Sequence, residues 1–392
     1  MKNQKNNLIL IILIFFSLKI GCISYFSSVL NSIWYIFQVF SILISLYFLI
    51  IKSKINKFDL IVILFYLVLL MTTLINKVNI YNYVKEVISF FSLYFVMKFG
   101  LEYNSKLYIK NMSRILIVYT IINTITAIVL YPGAMVMDNL NPIFFMGGDN
   151  TAVRIYIFAI CFEVLSKFIK NRKIVFPYIS FINLVLFSYV RDLGGAKVCS
   201  IILFFCLIYF MFSKKISQKI MKKIIILNIV LFLLIVIFNK INIFQFLIVN
   251  ILHRNLTLTD RTVIWKITIE KIIQKPLIGY GMIDGMSFQS MLPYIIGVNA
   301  HNTYLMILFN GGIILFLSFI YILIITSKKF DKEKHNKFIY ILPLTLLTLM
   351  VRAQIEGWDI VWIFLNLQLI YSYDKIETLF EKKYVEGGGL VD

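Results

Sequence analysis

His301 is the side chain in this sequence best suited to moving a proton. It is one of three histidines and stands in VNAHNTYLMILFNGG, immediately before an apolar run. A ring that titrates near neutrality serves there as general acid or base. His335 sits among lysines, and His253 lies in a stretch where nothing organises it. On the topology derived below, other polar groups share the side of His301: Arg191 and Asp192 in YVRDLGG, Asp138, Asp149 and Asn150, Arg261 and Asp284 in a long loop, and Arg352, Glu356 and Asp359 in the last turn. Ionisable groups near the membrane interior are expensive, so a functional site is the default reading of such a set. Each also has a plainer role open to it. His301 and Asn302 would cap the helix that follows, and Arg191 would anchor a short turn at head-group level.

The elements that must position these residues are membrane helices. Of 392 residues, 60% are apolar and 15% charged, with a mean hydropathy of +0.87. Soluble domains are roughly 45–50% apolar and about 25% charged. Apolar runs near 7–28, 32–51, 58–75, 83–100, 114–131, 151–169, 174–190, 196–213, 224–243, 303–326, 338–355 and 358–373 approach the ~20 residues that a crossing needs. The expected fold is therefore an all-α polytopic integral membrane protein of about twelve transmembrane helices. Its expected parts are a bundle of nine spans over 1–238, a large extracytoplasmic loop over 239–302, and the last spans with a tail over 303–385. The closing EGGGLVD, 386–392, reads as a tag remnant outside the fold.

Charge sets the orientation. The net charge of +20 would suggest a nucleic acid partner in a soluble protein, but 26 of the 39 Lys and Arg residues fall in alternate connections on one side. The positive-inside rule puts that side, and both termini, in the cytoplasm, and nucleic acid is not expected as a partner. The apolar run from Leu8 has no small-residue cleavage pattern after it and reads as the first span. Cys22, Cys161, Cys199 and Cys206 lie in apolar stretches without metal or disulfide spacing and read as core residues.

The 64-residue connection over 239–302 is far longer than any other, and long connections in compact proteins are usually functional. It contains a helix pattern from Asp260 to Gln274 that Pro276 stops, with Gly279 and Gly281 marking a turn beyond it. Such a helix lies at the membrane interface or caps the bundle.

His301-Asn302-Thr303-Tyr304-Leu305, continuing to Gly311 and Gly312, resembles the HNxYL...G signature of the O-antigen polymerase and O-antigen ligase superfamily. Arg261 to Trp265 and the run Pro276-Leu277-Ile278-Gly279-Tyr280-Gly281 resemble that family's R...W...P-L-x-G-x-G. Gly148-Asp149-Asn150 and Ser188-Tyr189-Val190-Arg191 match its G-x-x-N and S-x-x-R elements less tightly. Asp192, beside Arg191, departs from what a phosphate-binding arginine would be given.

The resemblance implies a glycosyltransferase that joins undecaprenyl-pyrophosphate-linked oligosaccharide repeat units, donor and acceptor, into O-antigen or capsular polysaccharide at the outer face of the bacterial inner membrane. Membrane lipid, a flippase and a chain-length regulator are the further partners of such a system. The residues agree with that chemistry. No Asp-x-Asp pair occurs to hold a metal, so a metal-independent reaction without cofactor is expected. Arginine forks would bind the pyrophosphate. His301 is then the base, with Arg261 and Arg191 on the leaving group, and Asn302, Tyr304, Asn150, Trp265 and Tyr280 as substrate-binding candidates. The aromatic residues among these would otherwise anchor the loop. Two alternatives stay open: a ligase that moves finished polymer to another acceptor, and a flippase or other transporter of lipid-linked oligosaccharide.

Overall fold

The computed structural model describes residues 2–138, 141–251, 261–292 and 298–386. His253 and the closing residues 387–392 lie outside the described residues. Helices account for nearly all of the described chain, because a backbone in lipid must satisfy its own hydrogen bonds. They are α1 (Lys2–Ser17), α2 (Ile23–Phe26), α3 (Ser28–Ile51), α4 (Lys57–Ile75), α5 (Tyr81–Val129), α6 (Asp149–Asn171), α7 (Tyr178–Val190) and α8 (Gly194–Phe212). There follow α9 (Ile220–Phe232), α10 (Arg261–Gln274), α11 (Gly285–Ser290), α12 (Thr303–Phe330), α13 (Ile341–Arg352), α14 (Ile360–Tyr371) and α15 (Tyr373–Glu386).

The protein is a polytopic helical membrane protein. Among the described residues, six helical segments are long and apolar enough to cross: α3, α4, α5, α8, Ile220–Ile237 and α12. Twelve were expected, and the difference has physical causes. α5 takes in two expected spans, 83–100 and 114–131, bent at Asn104 (φ −158°, ψ 86°), whose side-chain oxygen accepts from Leu107 N at 3.0 Å and restarts the helix. α7, α13 and α14 have only 13, 12 and 12 residues. α6 carries Arg154, Glu163, Lys167 and Lys170 along its length. α6, α13 and α14 are mostly buried, so other helices cover them where a lone span would meet lipid.

One departure from the all-α expectation is a three-stranded antiparallel sheet of β1 (Val136–Asp138), β2 (Asn141–Phe144) and β3 (Gly147–Gly148), which leads into α6. At the lysine-rich end, Asp59 closes a capping box with Asn56 at the start of α4. It also pairs with Lys98 and accepts from Tyr94 Oη at 2.6 Å, which reaches on to Gln368 at 3.0 Å. This buried set ties α4, α5 and α14 together. All four cysteines are buried and free.

The long connection folds as a cap. α10 buries Ile264, Trp265 and Thr268 and packs on α12. The chain then enters a break in α12. Gly312 has φ 61° and ψ −162°, a region open in practice to glycine alone. The break frees backbone groups, and residues 276–281 take them up. Tyr280 N and Gly281 N donate to the carbonyls of Phe309 and Asn310, each at 2.8 Å, and Ile313 N donates to Pro276 O at 2.8 Å. The proline-glycine run after α10 is thus a splice into the helix that begins beside His301. Gly312→Ala is expected to strain this splice by about 1–3 kcal/mol. Its thermal unfolding midpoint in detergent should fall clearly below that of the parent; an unchanged midpoint would mean that the splice does not carry stability.

Candidate functional site

The outer end of α12 is stitched to the turn between α13 and α14. Asn302 is fully buried and caps α12 by accepting from Leu305 N at 3.0 Å, while its amide donates to Gln354 O at 2.9 Å. Thr303 N donates to Ala353 O at 2.8 Å, and its hydroxyl donates to Gly357 O and accepts from Asp359 N at 3.2 Å. These bonds leave His301 in a left-handed conformation, φ 45°, with its backbone N donating to Asn299 Oδ1 at 2.7 Å. Backbone strain in a non-glycine residue is a marker of functional sites. Its ring Nδ1 is buried and has no hydrogen-bond partner among the described residues. Burial lowers the imidazole below its ordinary range. The Arg261 charge lowers it further, against an opposing pull from Glu356.

His301 lines a polar cavity of about 590 Å³ together with Asn150, Arg154, Arg352, Glu356 and Asp359. Arg352 pairs with Asp359 and donates to Asn150 O at 2.5 Å. Arg154 reaches Asp359 Oδ1 and Trp358 O, both at 3.3 Å, and Trp358 Nε1 donates to Glu86 Oε1 at 2.8 Å. A second cavity of about 460 Å³ shares Asn150 and Glu356 as its wall with the first. Its lining is chiefly aliphatic, with Ile201, Ile202, Ile235 and Ile248 among it, and Arg261 stands at its polar end. Arg261 donates to Ile355 O and pairs with Glu356 at 3.4 Å. Glu356 in turn lies over Gly195, where a Cβ would come within 2.9 Å of its Oε1. The starts of α6, α8 and α14 therefore border these cavities beside His301, and helix N-termini favour anions.

The structure sorts the expected site residues into two groups. His301, Asn150 and Arg261 border the paired cavities. Arg191 does not line either of them; its guanidinium donates to Pro132 O and Gly133 O at 3.3 and 3.4 Å and covers the Phe144 ring. Asp192 takes Lys197 at 2.5 Å. Asn302 is spent on the helix cap. Tyr304 is buried, with its hydroxyl on Met350 O at 3.1 Å and its ring against Phe232. Trp265 is buried in the small core under α10, and Tyr280 stacks on Phe309 with its hydroxyl on Lys271 O. These three aromatic residues anchor the cap. Asp284 caps α11 through Ser287 N at 2.8 Å. Arg154 and Glu86 are not among the residues that the sequence singles out; a charged residue one turn inside an apolar run is the signal available for them.

The site is thus a polar cavity in a helical membrane bundle, walled from an apolar one by an arginine-bound glutamate. Residues 178–320 match the family model described as O-Antigen ligase. That stretch, under half of the chain, is similar to the O-antigen ligase domain. The matched stretch holds Arg191, Arg261, the splice and His301, while Arg154, Arg352 and Glu356 lie outside it. No curated protein and no solved structure matches the chain.

With only three histidines, ring titration by NMR is assignable. His301 is expected to titrate below the ordinary histidine range. Arg261→Gln should move it up and Glu356→Gln further down. His335 should titrate above the range, because although burial lowers it, Glu377 and the Phe330 carbonyl outweigh that by bonding the charged ring. A His301 midpoint that ignores both substitutions would separate it from the arginine and glutamate.

Proposed function

We propose that the protein is a metal-independent polymerase that joins pyrophosphate-linked oligosaccharide repeat units at the outer face of the cytoplasmic membrane. The observation that carries this reading is the pair of cavities on either side of Glu356. An aliphatic chamber suits an isoprenoid tail, and Arg261 at its polar end suits the pyrophosphate that follows the tail. The polar chamber with the partnerless His301 nitrogen suits a sugar whose hydroxyl must lose a proton. The lysine-rich connections lie at the other end of the bundle, which supports placing the cavities outside the cytoplasm.

In this reaction His301 removes the proton of an acceptor hydroxyl. The oxygen attacks the anomeric carbon of the donor, and the bond from that carbon to the pyrophosphate oxygen breaks. The electron pair leaves with the pyrophosphate, whose charge Arg261 and the helix N-termini stabilise. Attack opposite the leaving group inverts the anomeric centre. Arg154 and Arg352, already paired with Asp359, hold the floor of the sugar chamber, and Arg191 secures the loop that leads into α6.

Purified protein in nanodiscs, given lipid-linked repeat units alone, is expected to build a ladder of products. Transfer that appears only when a different acceptor is added would make it a ligase. His301→Ala should lower the rate by about 10²–10⁴, and Arg261→Gln by about 10²–10³, in protein that still elutes as one species. Polymer formed at the parental rate by His301→Ala would end the proposal of a histidine base.

A further inference from the structure

The polar chamber has a continuation. A third cavity, about 430 Å³ and open at the surface, is lined by Tyr35, Asn82, Lys85, Glu86, Ser89 and Asp284 among others, and shares Glu86 and Ser89 with the His301 chamber. Three voids thus lie in series. Glu356 and Asn150 divide the aliphatic chamber from the His301 chamber, and Glu86 and Ser89 stand between the latter and the outer cleft.

We infer that the His301 chamber and the outer cleft together form one groove for the acceptor saccharide, with an inner subsite at His301 and an outer one at Tyr35. This rests on the glycosyl-transfer reading above. If the pyrophosphate leaves toward Arg261, an in-line displacement brings the acceptor from the opposite side, which is the side where the groove opens. The lining fits a hydroxyl-rich, neutral ligand. Lys85 shares the outer cleft with Glu86 and Asp284. Glu86 is fixed by Trp358 Nε1, Ser89 Oγ donates to the buried Gln38 at 3.4 Å, and Tyr35 Oη accepts from Lys19 Nζ at 3.2 Å. The half-buried rings of Trp358 and Tyr35, the latter with Lys19 Nζ 4.4 Å from its centroid on one side, offer the faces that remain to a sugar ring, with polar groups fixed around them. Each cavity falls in the size range of a small-molecule site.

The groove draws its outer subsite chiefly from α3 and α5, which precede the matched stretch 178–320. The division is then a functional one: the matched stretch supplies the base and the pyrophosphate arginine, and the helices before it read the acceptor.

The probe is the saccharide released by mild acid from the lipid-linked pool of the cells that carry this protein, freed of lipid and phosphate, with binding followed by calorimetry. Tyr35→Ala is expected to weaken it about tenfold, equivalent to about 1.4 kcal/mol, and Ser89→Trp to abolish it by filling the shared wall. Binding of polyprenyl pyrophosphate should be unchanged in both. In turnover, Tyr35→Ala should raise the acceptor KM by a similar factor and keep kcat. Saccharide binding that both variants retain would overturn the groove, as would Tyr35→Ala losing carrier and saccharide equally. If the parent binds saccharide through Tyr35 yet transfers nothing, the glycosyl-transfer reading fails and the groove stands. If transfer proceeds and neither variant alters the acceptor KM, the groove fails and the transfer reading stands.

Discussion

A helix broken inside an apolar bundle exposes carbonyl and N–H groups that lipid cannot satisfy, and each such group left alone costs several kcal/mol. α12 is broken at Gly312, and the protein meets that cost with residues 276–281, whose backbone takes up Phe309 O, Asn310 O and Ile313 N. Everything in the cap is registered by this exchange. Gly279 and Gly281 have φ of 60° and 78° and pass so near the backbone of α12 and α4 that a side chain would collide with it. Because α10 ends just before the splice, Arg261 at its other end is held at a fixed distance from the helix that follows His301. Trp265, Phe288 and Phe309 then close a small core between cap and bundle. The glycines and the proline in this stretch serve geometry, and through geometry they serve the reacting groups.

The second stitch works at right angles to the first. Asn302 and Thr303 bond the turn that carries Gln354, Glu356, Gly357 and Asp359, so one residue pair fixes both the start of α12 and the glutamate that divides the cavities. Gly357 lies against Asn299, where a side chain would meet the amide oxygen that holds His301 N. His301 is thereby kept in its unfavourable backbone conformation by neighbours on both sides. Cap and helix start are separate in sequence, yet the loop places the arginine and the histidine within electrostatic reach, as the lowered imidazole basicity reflects.

Much of this organisation was legible in the sequence, for reasons that differ by feature. Apolar runs mark helices because lipid leaves the backbone no other solution, and all twelve runs coincide with helical segments. Their number as crossings was not legible, since hydropathy cannot distinguish a lipid-facing helix from α14, which other helices cover. His301 and Arg261 stood out through rarity and position. Asn302, Tyr304, Trp265 and Tyr280 were polar or aromatic at the right spacing, but spacing along the chain does not say whether a side chain looks into a cavity or, as these do, onto a backbone carbonyl or into a packed core. The sheet over 136–148 had no strong alternation to announce it. Arg154 and Arg352 become site residues only when α6 meets the last turn, a contact across about 200 residues of chain.

Charge balance explains how such a site can exist before its ligand arrives. Arg154 and Arg352 share Asp359, Arg261 holds Glu356, and Glu86 receives Trp358. An unpaired guanidinium buried here would be strongly destabilising, whereas a paired one is tolerated. The contact of Arg261 with Glu356, at 3.4 Å, stands beside the pairs of Arg154 and Arg352 with Asp359 around the dividing wall. In the reaction proposed above, a pyrophosphate would offer that guanidinium two oxygens and more charge than one carboxylate, so it would compete for Arg261 while Arg154 and Arg352 stay on Asp359. Glu356, released from the arginine, would then be left on the wall of the His301 chamber, where its negative charge would stabilise the imidazolium that proton removal creates. On that proposal, binding of the leaving group and activation of the base would act through the same glutamate.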